Sequence, residues 1–228
     1  MVVGRCPGLR TVRRSLTCAD GDCHAEGNIV MTAVARGSRS RCLAGDHRVA
    51  LRALRAAAEN YAARGWPVLP GPVCDGLTTW DPVSFELLGG RESSASRSEA
   101  TVDRRVVSEW WAVHRQAILA PVGEHFDVVR APTHLGWRAL AAFDGGRPLG
   151  PMALSPHGAF FFVEPGTCGE HELASGVEVF SPGDLVVLPP SRVVGGVVWW
   201  RISPVDREAL GDGAGIVGKL AELSAGSA

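Results

Sequence analysis

Long apolar runs are missing from this 228-residue sequence. No stretch of about 18 apolar residues occurs, so we expect no membrane-spanning helix. The arginine-containing start has no apolar segment of the signal-peptide kind, and we expect no secretory signal. A strong charge of one sign is also lacking, because the formal net charge is -1, and no overall basic field indicates a nucleic-acid partner. These absences predict a cytoplasmic protein with reduced thiols.

Paired cysteines of the zinc-binding kind are also lacking. The six cysteines are scattered, and Cys18, Cys23 and His24 form the only cluster. A zinc site usually combines two closely spaced pairs, and the second pair is missing, so a metal site is the less favoured interpretation. Hydrophobic residues make up 46% and charged residues 21% of the chain. This composition is typical of a single globular domain with a sizeable core.

Composition and periodicity divide the chain into three parts. Residues 1–45 are rich in Arg, Gly and Ser without periodicity and predict a disordered N-terminal extension, within which Met31 is an alternative start. Residues 46–207 form the predicted domain, opening with a helix that Asp46 caps and Gly65 ends. Residues 208–228 are a predicted C-terminal tail with one weak helix.

Strand patterns dominate the middle of the chain. Ala117–Val122 and Phe126–Val129 predict two strands, a helix follows over 132–143, and the turn Ser155-Pro156-His157-Gly158 predicts a hairpin. Thr101 is predicted to cap an earlier helix. The element order predicts an α+β, or mixed α/β, fold with one central, mostly antiparallel sheet and flanking helices.

The stretch Gly176–Ser191 carries one carboxylate on a predicted hairpin. Glu178 lies on a strand of alternating pattern, a Ser-Pro-Gly-Asp turn follows, and Leu185–Leu188 predicts the return strand. The Pro-Pro pair then ends the strand because proline cannot donate to a ladder. Taken alone, this pattern favours an ordinary surface glutamate on an edge strand.

Three stretches together resemble a known family. They are Ala62–Val68, the strand Phe126–Val129 with Pro132 and Gly136 after it, and Gly176–Ser191. Their order and spacing resemble the bifunctional DNA primase/polymerase (Prim-Pol) domains of the archaeo-eukaryotic primase superfamily, over roughly residues 47 to 203. The resemblance implies a primase-polymerase-like fold and template-directed nucleotidyl transfer with Mg²⁺ or Mn²⁺. Nucleotides and DNA are the implied partners, with a separate helicase or replication protein because no complete P-loop motif is present.

The resemblance also assigns site residues, with departures. Asp127 and Glu178 match the first and third metal-binding carboxylates, but Val129 occupies the second position and cannot bind a metal. The nucleotide-contacting histidine of the family falls at or beside Phe161, and Phe180 replaces a basic residue. Implied nucleotide-binding residues are His157, Ser155, Ser191 and Arg192. Loss of several coupled groups predicts weak or absent polymerase activity.

Three functions follow from these observations. The first is an active metal-dependent polymerase, which requires a third acidic group such as Glu124 or Asp184 beside the other two. The second is a non-catalytic nucleotide or nucleic-acid binding module, in which Arg130, Arg138, Arg192 and Arg201 would converge on one face. The third is a protein-interaction domain that uses its tryptophan pairs, Trp110-Trp111 and Trp199-Trp200.

Overall fold

The computed structural model describes residues 36–82, 84, 86–88, 96–143, 149–169 and 173–226, with side chains from residue 48 onward. The chain divides into two compact units, Met1–Arg48 and Val49–Ala228. The first unit is described only from residue 36, where a helix begins. The predicted disorder of residues 1–35, the alternative start at Met31 and the cluster of Cys18, Cys23 and His24 lie outside the described residues.

The described residues form four helices and eleven strands, with one 3₁₀ turn at Arg97–Glu99. The helices are α1 (Arg36–Ala63), α2 (Arg104–Trp110), α3 (Thr133–Ala142) and α4 (Gly213–Ala225). The strands are β1 (Leu69–Cys74), β2 (Thr79–Trp80), β3 (Gln116–Pro121), β4 (Asp127–Ala131), β5 (Met152–Ser155), β6 (Gly158–Val163), β7 (Glu178–Phe180), β8 (Leu185–Leu188), β9 (Arg192–Val193), β10 (Gly196–Val197) and β11 (Trp199–Ile202). The predicted α+β class is therefore confirmed.

The strands are divided over two larger sheets, whereas the sequence predicted one central sheet. One sheet has the order β2-β1-β3-β8 and the other has the order β11-β5-β6-β4-β7, and the paired strands within each sheet are antiparallel. The predicted hairpin of Gly176–Ser191 is wrong, because β7 pairs with β4 and β8 pairs with β3. The Ser181–Asp184 turn thus connects the two sheets.

Two hydrophobic clusters lie on opposite faces of the five-stranded sheet. One cluster joins Val128 and Phe162 to α1, α2 and the four-stranded sheet. The other joins Val129 and Phe161 to α3 and α4. The alternation of neighbouring residues between the clusters follows from the two-residue period of a strand. Every side chain on β4 can therefore be assigned to one face or the other.

An aromatic cluster anchors the start of the domain. The Trp66 ring centroid lies 4.7 Å from that of Phe126 and stacks at 5.7 Å on Phe162. Tyr61, on α1, donates a hydrogen bond to the carbonyl oxygen of Pro189 and accepts one from the indole of Trp200, both at 2.7 Å. Burial raises the pKa of the Tyr61 hydroxyl well above its usual value. These contacts tie α1 to both sheets.

Several helix boundaries differ from the sequence predictions. Helix α1 begins at Arg36, ten residues before Asp46, and it ends as predicted before Gly65, which takes a φ of 80°. Asp103 caps α2 by accepting from the backbone N–H of Arg105, so the prediction of Thr101 is wrong.

The C-terminal segment also departs from the sequence prediction. Its helix α4 buries Ile216, Val217 and Leu220 in the cluster beneath α3, so the segment belongs to the domain and is not a tail. In the part of the chain that the structure describes, no helix is both long and apolar enough to cross a membrane.

Candidate functional site

Asp127 lies at the start of β4 on the face that α3 and α4 cover. Only 5% of the residue is exposed, and its Oδ2 accepts a hydrogen bond from the backbone N–H of Gly166 at 2.7 Å. Its Oδ1 is buried without a hydrogen-bond partner among the described residues. Val129 lies on the same face, because residues two apart in a strand project from one side, but this face is packed core.

A buried thiol lies near Asp127. Burial raises the pKa of Cys168 to about 11, and the carboxylates of Asp127 and Asp212 contribute to the increase. The thiol is therefore protonated at neutral pH and is a poor metal ligand in that form. Thr167, beside it, accepts a hydrogen bond from the backbone N–H of Gly213 at 3.0 Å, which ties the Asp127-bound loop to the start of α4.

Glu178 lies on the opposite face of the same sheet. It is the cross-strand partner of Arg130, and directly paired residues of antiparallel strands project from the same side. Arg130 Nη2 lies 2.6 Å from Glu178 Oε1, within charge-assisted hydrogen-bond distance. The Glu178 side chain is 54% exposed, and that of Arg130 is 29% exposed.

The two predicted metal-binding carboxylates therefore do not converge. Asp127 shares its face with Val129, and Glu178 shares its face with Arg130 and Phe160, because β4 alternates between them. Among the residues with described positions, no three His, Cys, Asp or Glu side chains come together as a metal site. Neither Glu124 nor Asp184 completes such a set. The residues present do not fit the two-metal site that the family resemblance implied.

A cleft of about 1220 Å³ borders Glu178. Ala117, Leu119 and Val187 of the four-stranded sheet line one part, and Glu178 and Phe180 of β7 line another. The charged and titratable side chains that line it are Cys74, Arg97, His157, Glu178, Asp184 and Arg192. The structure thus brings three of the predicted site residues together, namely His157, Glu178 and Arg192, and it excludes Asp127 from them.

His157 reaches this cleft from the turn between β5 and β6. Its backbone N–H donates to Ser155 Oγ at 3.0 Å, so the Ser155 hydroxyl stabilises the turn, and Ser155 itself is 9% exposed. Phe161, the position nearest the family's histidine, is buried on the α3 side. His157 is therefore the histidine that this hairpin presents to the cleft, whereas Ser155 does not line it.

Ser191 and Arg192 are neighbours with different roles. Ser191 is fully buried, and its hydroxyl accepts from the backbone N–H of Ile118 at 2.8 Å, so it stabilises β3 and does not line the cleft. The Arg192 guanidinium lines the cleft and donates to the carbonyl oxygen of Asp75 at 2.9 Å. Backbone N–H donors of Thr78 and Leu77 lower the pKa of the Asp75 carboxyl and fix the turn that holds Arg192.

Two cleft features were missed by sequence reasoning. Arg97 lies on the 3₁₀ turn, in a serine-rich stretch of the sequence without periodicity. The pairing of Arg130 with Glu178 depends on which strands are neighbours, and no local pattern carries that information. With Arg130 and Arg192, Arg97 makes a third guanidinium at or beside the cleft.

The four arginines expected to converge in a nucleic-acid binder do not do so. Arg130 and Arg192 are on the cleft side, but the Arg201 guanidinium lies over the Trp137 ring of α3, 5.6 Å from its centroid. Arg138 is also on α3. Of the tryptophan pairs, Trp111 is fully buried and Trp199 is 46% exposed, so only the second pair offers a substantial contact surface.

One segment of the sequence resembles a phosphate-binding P-loop, but the fold gives it a different structure. Residues 213–219, Gly-Ala-Gly-Ile-Val-Gly-Lys, carry all but the final hydroxyl residue of a P-loop motif. All seven residues are helical in α4, and Lys219 pairs with Glu222. A P-loop requires an open glycine-rich turn before its helix, so this segment is not one.

The architecture defines the class of protein as an α+β domain with two antiparallel sheets and a charged cleft lined by residues of both. The comparison with protein families is more specific, because the model for "Bifunctional DNA primase/polymerase, N-terminal" matches residues 58–212. This range exceeds half of the chain, and the protein belongs to that family. The family is generally metal-dependent. Searches of curated proteins and of solved structures gave no match.

Proposed function

We propose that this protein is a primase/polymerase-like domain in which template-directed nucleotidyl transfer is weak or absent. Its cleft serves as a non-catalytic binding site for a nucleotide or a nucleic-acid backbone. A separate helicase or replication protein would supply unwinding, and the compartment would be the cytoplasm. The observation that carries the proposal is the projection of Asp127 and Glu178 from opposite faces of one sheet.

Nucleotidyl transfer requires metal-binding carboxylates that converge on one point. In-line nucleotidyl transfer uses two metal ions a few ångströms apart to hold the attacking and leaving oxygens. Hard divalent cations require several oxygen ligands around one point. A buried Asp127 on the α3 side and a Glu178 paired with Arg130 cannot supply them together. These residues therefore support no catalytic step that uses a metal ion.

Binding is supported by the charges of the cleft. Arg97 and Arg192 present guanidiniums, which match the geometry of phosphate oxygens. Among the described residues, neither guanidinium forms an ion pair with a carboxylate. The apolar side chains of Leu119, Phe180 and Val187 line the same space and offer a surface for a base. Phosphate and base contacts on one cleft are the arrangement that a nucleotide requires.

Nucleotide incorporation tests the catalytic half of the proposal. The unmodified protein, Asp127→Ala and Glu178→Gln would be compared with Mn²⁺ or Mg²⁺ on primed and unprimed templates. We expect the unmodified protein to incorporate no more nucleotide than the two variants do. Template-dependent incorporation that disappears in both variants would contradict the proposal, because both carboxylates would then serve one site.

Nucleotide binding tests the other half. Arg192→Gln removes a cleft guanidinium, and Arg105→Gln is its control, since Arg105 lies on α2 with 89% of its side chain exposed. We expect Arg192→Gln to weaken ATP binding by about tenfold, typical of one lost charge contact in a partly exposed site. Equal affinities in the two variants would remove the cleft from the proposal.

A protein-interaction domain is the second candidate function. It is favoured by the exposure of Trp137 and Trp199, 43% and 46%, on the side of the sheet away from the cleft, with Arg201 over the Trp137 ring. Tryptophan and arginine are the residues most enriched at binding hot spots. Loss of a partner on Trp137→Ala, with ATP binding unchanged, would support this candidate over the first.

A further inference from the structure

We propose that the Arg130 guanidinium takes the place of a metal ion beside Glu178, so that the cleft binds its phosphate ligand without a divalent cation. This inference rests on the proposed binding function and specifies how that site works. The disagreement between the family's metal dependence and the residues of this chain is its starting point.

The Arg130 guanidinium occupies the position beside the Glu178 carboxylate. Register places it directly opposite Glu178 on β7 and opposite Phe160 on β6. Its Nη2 reaches Glu178 Oε1 at 2.6 Å, so the positive charge lies against the carboxylate that would otherwise attract a cation. A guanidinium cannot be deprotonated in a protein, which makes this a permanent charge.

The neighbourhood of Gly158 explains how the arginine fits there. A Cβ added to Gly158 would lie 2.5 Å from the Ala131 carbonyl oxygen and 3.5 Å from Arg130 Cγ. Gly158 also has a φ of 137°, which side-chain-bearing residues rarely adopt. The glycine that follows His157 therefore permits the close packing of β6 against the part of β4 that holds Arg130.

The charge balance of the cleft is the second step. The guanidiniums of Arg97 and Arg192 and the carboxylates of Glu178 and Asp184 line the cleft, and the Arg130 guanidinium, paired with Glu178 beside it, adds one further positive charge. Without Arg130 the charges would cancel, and a phosphate group would need an added cation to offset Glu178. With Arg130 present the cleft carries a net positive charge, which favours an anion directly.

The two mechanisms predict opposite effects of one substitution. In a metal-dependent site, Glu178→Gln removes a metal ligand and weakens nucleotide binding. In the arginine-based site, the same substitution removes a negative charge and leaves Arg130 available to the phosphate. We therefore expect Glu178→Gln to tighten binding at low salt by about tenfold, the size expected for one partly screened charge.

The experiment measures binding of ATP and of an oligothymidylate by titration calorimetry, in EDTA and in Mg²⁺. The two probes distinguish a nucleotide from a nucleic-acid backbone as the source of the phosphate. For the unmodified protein we expect affinities in EDTA and Mg²⁺ that agree within about twofold for at least one probe, since no metal is required. Arg130→Gln should weaken binding in EDTA by about tenfold, and the exposed Arg105→Gln should leave it unchanged.

Binding that requires Mg²⁺, or that weakens in Glu178→Gln, would overturn the inference. Absence of binding by both probes in EDTA would also overturn it. If Arg130→Gln fails to fold, Glu178→Gln decides alone, because its half-exposed side chain can be changed at little cost to stability. Failure of the proposed function is distinguished from these outcomes by incorporation of nucleotides, or by absence of binding in both EDTA and Mg²⁺.

Discussion

A carboxylate at Val129, the position that the family resemblance assigns to the second metal-binding acid, should strongly destabilise this protein and should not restore a metal site. Val129 is fully buried and pairs across β4 and β6 with Phe161, in the cluster beneath α3 and α4. Val129→Asp would therefore place a carboxyl group in packed apolar surroundings. It would also add a second acid to the face that carries Asp127.

The size of the effect follows from two contributions. Losing the burial of a valine side chain costs about 1.5–3 kcal/mol. Burying a polar group without a partner costs roughly 1–3 kcal/mol more in proteins. The total of about 2.5–6 kcal/mol is a large part of the 5–15 kcal/mol by which domains are typically stable.

Urea unfolding, followed by tryptophan fluorescence, measures this loss. With a slope of about 2 kcal/mol per molar urea, the midpoint of Val129→Asp should fall by roughly 1.3–3 M. Arg130→Asp is the matched control on the next residue of the same strand. Position 130 lies opposite Glu178 on the face away from Val129, so Arg130→Asp should cost only about 1 kcal/mol and should gain stability from added Mn²⁺.

Two results would refute this reasoning. One is a urea midpoint for Val129→Asp that lies within about 0.5 M of the midpoint of the unmodified protein. The other is stabilisation of Val129→Asp, and not of Arg130→Asp, by Mn²⁺. Either would mean that the Asp127 face is open to solvent and ions.

Three further predictions concern the packed groups. Asp127→Asn keeps an oxygen that can accept from the Gly166 N–H, so its free energy of unfolding should be within about 1 kcal/mol of that of the unmodified protein. Asp127→Ala leaves this N–H without an acceptor and should lose about 1–3 kcal/mol, measured by urea unfolding. A larger loss in Asp127→Asn than in Asp127→Ala would contradict the buried environment of Asp127. Tyr61→Phe leaves the Trp200 N–H without its acceptor and should cost about 1–3 kcal/mol in thermal unfolding, and no loss would show that water replaces the hydroxyl. Burial raises the pKa of Cys168 from 9.0 to about 11, so the stability that this thiol contributes is complete below a pH of 9.0 and is lost as pH rises toward about 11. Cys168→Ser should therefore have a flatter profile of stability against pH over that range, and identical profiles would contradict the assignment.

Local chemistry predicted the local elements well. The Ser155-Pro156-His157-Gly158 turn does join two paired strands, because proline and glycine specify the turn and the flanking residues alternate. The Asp127-x-Val129 spacing does place both residues on one face. Gly65 does end α1. Each of these features depends on residues within a few positions of one another.

The site was harder to predict because it depends on strand partners. Sequence periodicity could not tell that β7 and β8 enter different sheets, since a turn between two strands is also the signature of a hairpin. Sequence periodicity also could not show which face of β4 is packed in the hydrophobic core. A carboxylate in a family motif position predicts metal binding, but the helices packed on Asp127 decide whether the position is open.

Binding of Mn²⁺ in the presence of ATP, followed by electron paramagnetic resonance of the free ion, tests the central claim most directly. The account predicts that Asp127→Asn and Glu178→Gln bind the same amount of Mn²⁺ as the unmodified protein, equal to that held by the ATP alone. Additional Mn²⁺ that the unmodified protein binds, and that both variants lose, would contradict it, because the two carboxylates would then share one metal site.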